Sequence, residues 1–167
     1  MADPRVAGYA EALFAVAAAE GDLSVVEDEL FRFAQALRSD DDLGSTLADR
    51  ALPMARRLQV VEDLLGARAS AVTTALVSMV VGAGRAAELP AIVDAMLERS
   101  AASRNKAVAT VRSAVDLTAD QRERLAAAIN TRTGREVEVR VVIDPSVLGG
   151  VVTEIGDDII DGSVRRR

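Results

Sequence analysis

The sequence predicts an α+β fold that is mainly α: an N-terminal six-helix bundle followed by a small α+β domain with a short mixed sheet. Three observations carry this expectation. Apolar residues recur at helical spacing between recognisable caps throughout residues 1–105. After Asn105 the period changes to alternation, with Val137, Val139, Val141 and Ile143 set against Glu136, Glu138 and Arg140. Charge divides at the same place. Residues 1–105 hold 10 cations and 16 anions and residues 106–167 hold 10 of each, so the net charge of −6 belongs to the helical half. The expected domains are therefore 1–105 and 106–167, with the two halves meeting different partners.

Each helix has its own local signals. Asp3-Pro4 sets a capping carboxylate before a proline in the first turn, and Val6, Tyr9, Ala10, Leu13, Phe14 and Ala17 follow at helical spacing up to Gly21. Ser24 and Glu27 read as a capping box, with Glu27, Asp28 and Glu29 complementing the positive end of the helix dipole. Val26, Leu30, Phe33, Ala34 and Leu37 form the stripe of that second helix. A short third helix follows Asp40, Asp41 and Asp42, anchored by Leu43 and Leu47. Pro53 opens a fourth, with Met54, Leu58, Val61 and Leu65 running to Gly66. The uncharged stretch Ala69–Gly84 supplies the fifth, and Leu89, Ile92, Val93, Met96 and Leu97 belong to the sixth, with Pro90 in its first turn. In the second half, residues 106–115 alternate as a strand, and Thr118 with Gln121 forms a capping box opening a helix that ends at Gly134. Asp144-Pro145-Ser146 turns the chain after the next strand, and Val151–Ile155 with Ile159-Ile160 reads as a hairpin around Gly156-Asp157-Asp158.

Composition removes most enzyme chemistry. With no cysteine there is no disulfide scaffold, thiolate metal site or thiol nucleophile, and with no histidine the commonest general base and metal ligand are gone. An acidic balance argues against a nucleic-acid partner bound through phosphate neutralisation. Lys106 is the sole lysine and opens a predicted strand, which suits neither a Schiff base nor a phosphate-binding loop. The start MADPRVAGYAEA lacks the pattern of a signal peptide, and the 16-residue run Ala69–Gly84 is shorter than the roughly 20 apolar residues that span a bilayer. A soluble chain without direct membrane insertion is expected, and no catalytic residue, cofactor or metal is assigned.

Two motifs invite chemical readings. Gly82-Ala-Gly84-Arg-Ala-Ala87 matches the G-x-G-x-x-A form of a dinucleotide fingerprint, which makes a small nucleotide-binding oxidoreductase the enzymatic alternative. The apolar run before it is long enough for a four-turn helix, and no acidic residue closes a second strand about 20 residues on, so a helix C-cap is the preferred reading. Asp40–Asp42 and the group Asp157, Asp158 and Asp161 lack the alternating spacing of a calcium loop and read as solvated turn and cap residues. The helix faces are more informative. The fifth helix carries no charge, and the first has Ala7, Ala12, Ala15, Ala18 and Ala19 away from its apolar stripe. A helix apolar all round is either central or covered on one face, so core alone and a groove for a partner helix both stand.

Three segments resemble one family in order along nearly the whole chain. Val141–Val164, VVIDPSVLGGVVTEIGDDIIDGSV, is similar to the signature of the ATP synthase delta subunit family, which includes the mitochondrial oligomycin-sensitivity-conferring protein. Gly8–Ala17 resembles its opening helix and Gly84–Met96 its sixth. The signature positions here are Asp144, Ser146, Gly149, Gly150, Gly156, Asp157, Asp161, Gly162 and Ser163. The resemblance implies a non-catalytic stator subunit that links the catalytic head of the F-type synthase to its peripheral stalk. It implies a groove of the first and fifth helices that receives the N-terminal helix of an α subunit, with Tyr9, Ala12, Leu13, Val72, Leu76, Met79 and Val80 as groove candidates. It further implies that residues 106–167 meet the C-terminal stalk helices of the b subunit, and a peripheral location on the cytoplasmic face of a bacterial plasma membrane. A generic helical scaffold with another partner remains the non-enzymatic alternative.

Overall fold

The computed structural model describes residues 3–156 and 158–162. Its fold is α+β and mainly helical, with a four-stranded mixed sheet. The chain divides into two compact units, residues 1–99 and 100–167. The division falls inside a helix, a few residues before the boundary at 105 read from the sequence.

The first unit contains α1 (Pro4–Glu20), α2 (Leu23–Ser39), α3 (Asp41–Ala48), α4 (Met54–Leu65), α5 (Ala71–Gly82), a 3₁₀ turn (Ala86–Glu88) and most of α6 (Leu89–Ser103). Side-chain oxygens supply most of the helix starts: Asp3 accepts from the Arg5 amide at 2.8 Å, Asp40 from Leu43 at 3.1 Å and Ser70 from Thr73 at 3.3 Å. The start of α2 differs from expectation. Asp22, not Ser24, is the cap, accepting the amides of Ser24 and Val25 at 3.1 and 3.4 Å. One carboxylate at the positive end of the helix satisfies two orphan donors, which a hydroxyl at Ser24 cannot match. Glu27 is thereby moved into the helix body, where it is buried at 2% exposure. The core is aliphatic: Leu13, Val26, Leu30, Val61, Val77 and Ile92 are each exposed by 1% or less.

The second unit contains the last turn of α6, then β1 (Ala107–Ser113), α7 (Ala119–Thr133), β2 (Val137–Ile143), β3 (Val151–Ile155) and β4 (Asp158–Asp161). The sheet order is β2-β1-β3-β4, with β1 and β2 parallel and the other pairs antiparallel. Parallel strands need a crossover connection, and α7 provides it. Its capping box is complete: Thr118 accepts from the Gln121 amide at 3.2 Å while Gln121 accepts from the Thr118 amide at 2.8 Å. Ala109 lies at the centre, paired with Val139 on one side and Ile155 on the other, and clusters with Ile129, Val137 and Ile155. β1 is shorter than the alternation suggested, stopping at Ser113 where the chain turns towards α7.

Arg104 grips Glu138 on β2 through its Nε at 2.6 Å and a terminal nitrogen at 2.9 Å. The guanidinium holds the Glu138 carboxyl below its ordinary value of 4.5, against the opposing effect of burial. A lowered folded-state pKa contributes stability above pH 4.5 that is lost as pH falls through the folded value. Glu138→Gln is therefore expected to flatten the acid side of the stability profile of this unit. Amide exchange of β1 and β2 between pH 3 and pH 7 measures it; an identical acid loss in the variant would refute the assignment.

Candidate partner-docking face

α1 and α5 run antiparallel as neighbours. Gly21, just past the end of α1, lies against Val72 at the start of α5, 3.4 Å from where a Cβ would sit. At the opposite end, Glu88 raises the pKa of Arg85 with a 2.8 Å hydrogen bond, and the Tyr9 phenol adds to the same effect. Between these ends the exposed positions of α5 are Ala71, Ala75 and Met79, the last 43% exposed. Val72, Ala75 and Met79 fall at i, i+3 and i+7 and so share a side. On α1, Tyr9, Ala12, Val16 and Ala19 share a side by the same spacing. The other flank of α1 is occupied, because Arg99 binds Glu11 at 2.8 Å and stacks over the Phe14 ring at 5.0 Å.

The groove candidates separate by direction. Ala12 and Met79 are exposed, and Tyr9 and Val72 are half-buried. Leu13, Leu76 and Val80 point inward, with exposures of 1%, 3% and 0%. These three are core residues of the unit and lie beneath the face instead of on it. Val16 and Ala75, which share the outward side, escaped the sequence reading although each stands at helical spacing from a named candidate.

The glycine motif at the end of α5 is a Schellman cap. Arg85 donates its amide to the Val80 carbonyl at 3.1 Å and Gly84 donates to Val81 at 3.0 Å. Gly84 takes φ 75°, the left-handed conformation such caps require. The preceding segment is a helix and not a strand, so the C-cap reading holds and the dinucleotide alternative falls. Space for a methyl group exists at Gly84, so Gly84→Ala tests backbone strain alone. It is expected to lower stability by about 1–2 kcal/mol, read as a shift in the urea midpoint followed by far-UV ellipticity; an unchanged midpoint would contradict it.

In the second unit the signature positions make turns. The Asp144 carboxylate accepts from the Ser146 hydroxyl at 2.6 Å and its amide at 2.9 Å, and these bonds hold its pKa below 3.8. Gly149 and Gly150 form the loop entering β3, and Gly156 turns the β3–β4 hairpin at φ 58°. The Gly162 amide donates to the Val151 carbonyl at 2.9 Å, closing that hairpin. Asp157 and Ser163 lie outside the described residues, and of Asp161 only the backbone in β4 is described. Among the described residues no group of three acidic side chains is arranged to hold a metal ion, and no helix is long and apolar enough to cross a membrane.

Comparison with known proteins places the chain in a family. Residues 6–167 match the family model described as ATP synthase delta (OSCP) subunit. The chain belongs to that family. It is 44% identical over 163 residues to the ATP synthase subunit delta of Nocardia farcinica, covering 98% of this chain and 60% of that one. The corresponding protein of Streptomyces avermitilis is 40% identical over 147 residues, covering 88% and 54%. The chain thus spans little more than half the length of these curated relatives. A chain of the Toxoplasma gondii mitochondrial ATP synthase hexamer shares the fold, with a TM-score of 0.62 and 24% identity over 99% of this chain and 93% of that one.

Proposed function

We propose that the chain is a non-catalytic stator subunit of an F-type ATP synthase, tying the catalytic head to the peripheral stalk so that rotor torque is not dissipated. The observation that carries the reading is the uncharged face of α1 and α5 on a unit whose other surfaces hold its charge. In this reading residues 1–105 act as a six-helix bundle whose α1–α5 groove receives the N-terminal helix of an α subunit. Tyr9, Ala12, Val72 and Met79 form the contact, and the core residues Leu13, Leu76 and Val80 support it from beneath. Residues 106–167 meet the C-terminal helices of the b subunit. The assembly sits on the cytoplasmic face of a bacterial plasma membrane, with this subunit outside the bilayer. Family membership and the names of the relatives support the role.

The physics suits a stator. Slow dissociation is what resists torque, and a helix laid into a groove gains about 25 cal/mol per Å² of apolar area removed from water, less the cost of association. Small residues on both walls let a partner helix approach closely. Titration with a synthetic peptide of the α-subunit N-terminal helix tests the reading. Saturable binding is expected; none at roughly tens of micromolar, with the helices intact by circular dichroism, would sink it.

A further inference from the structure

α5 lacks the usual cue that orients a helix. Its outward residues Ala71, Ala75 and Met79 are uncharged, like those it buries, and no charge lies between Ala69 and Gly84. Burial of apolar area therefore discriminates weakly between rotations of α5 about its own axis. Polar groups can break that degeneracy, because a buried hydroxyl without a partner costs more than the exchange of one small aliphatic side chain for another. Two hydroxyls of α5 are buried and need partners, those of Thr73 at 0% and Thr74 at 9% exposure. Thr74 donates back to the Ser70 carbonyl at 3.2 Å, a bond that travels with the helix whatever its rotation. Thr73 reaches a different element: its hydroxyl donates to the Glu29 carboxylate on α2 at 2.5 Å.

The same carboxylate accepts the Ser70 amide at 3.0 and 3.1 Å and the Ser70 hydroxyl at 2.8 Å. Burial opposes the charge of Glu29, yet the donors from Thr73 and Ser70, with Arg32 nearby, outweigh it and leave its pKa lowered. At 3.6 residues per turn, Thr73 stands nearly opposite Ala75. Holding Thr73 inward therefore turns the Ala75 and Met79 side outward.

We propose that Glu29 is the positioning residue of the α1–α5 face: it sets the rotation of α5 so that Val72 and Met79 look outward and Val80 looks into the core. Its functional consequence rests on the docking reading given above, but the rotation itself does not. The native chain has no cysteine, so single substitutions report side-chain access without interference. In the full chain, Met79→Cys is expected to react with a maleimide at least about tenfold faster than Val80→Cys, which opens only by local unfolding. Combining each with Glu29→Ala collapses that ratio towards one while far-UV ellipticity persists. Glu29→Gln, which keeps an acceptor oxygen, preserves part of it.

Should Glu29→Ala unfold the chain, Thr73→Val removes the hydroxyl that ties the body of α5 to Glu29 while keeping the core volume and the Ser70 cap, and the same collapse is expected. An unchanged ratio in either folded background overturns the proposal. Because labelling needs no partner, that outcome is separate from failure of the docking reading, which the peptide titration of the native chain tests alone.

Discussion

Met79→Glu is expected to weaken binding of the α-subunit helix by roughly 30- to 150-fold, about 2–3 kcal/mol. Met79 is the largest outward side chain on α5, 43% exposed among Ala71, Ala75 and Ala83. In the free chain a carboxylate there stays hydrated, and glutamate and methionine have similar helix propensities, so stability moves by no more than about 0.5 kcal/mol. On docking, the same carboxylate must leave water, and neither α1 nor α5 offers it a cation on this side. Met79→Leu keeps the volume and apolar character and should bind nearly as the native chain does. Calorimetric titration of both variants, with circular dichroism as the control for folding, provides the measurement. Equal affinities for the two variants would remove Met79 from the contact.

Leu13→Ala is expected to have the opposite signature. The family resemblance groups Leu13 with Met79 as a groove candidate, but Leu13 is 1% exposed and one of the largest fully buried side chains of the unit. Truncation removes its transfer free energy and leaves a cavity that the surrounding helices fill only in part, costing about 2–5 kcal/mol. Alanine is the better helix former, so α1 itself gains slightly and the loss arises from packing. The folded variant should still bind the peptide within about twofold of the native affinity, because the outward surface is unchanged. Urea unfolding followed by ellipticity reads the first effect and titration below the transition reads the second. A large loss of affinity without loss of stability would place Leu13 on the docking surface after all.

The contrast between these residues shows where sequence reasoning stops. The helix starts at Asp3, Asp40 and Thr118 were legible because capping is a local exchange among four or five residues. At α2 two local solutions competed, Asp22 and Ser24, and the stronger acceptor prevailed. Glu29 was legible only as a complement to the dipole of its own helix, whereas the fold uses it 41 and 44 residues away on Ser70 and Thr73. On α5, apolar on every side, periodicity carries no direction, so Leu76 and Val80 could not be told from Met79 until neighbouring helices were in place. In the second unit the alternation marked the strands, but the parallel pairing of β1 with β2 follows from the α7 crossover and the central place of β1 from β3 joining its other edge, neither of which a strand pattern encodes.

The position of Tyr9 has an optical consequence. It is the sole tyrosine in a chain without tryptophan, so tyrosine emission of the free protein comes from a single ring, in the second turn of α1 beside Arg85. A partner helix with no tyrosine or tryptophan of its own would be detected by that intrinsic fluorophore, with no dye attached and no residue changed. The chain carries its own reporter at one end of the surface it is proposed to use.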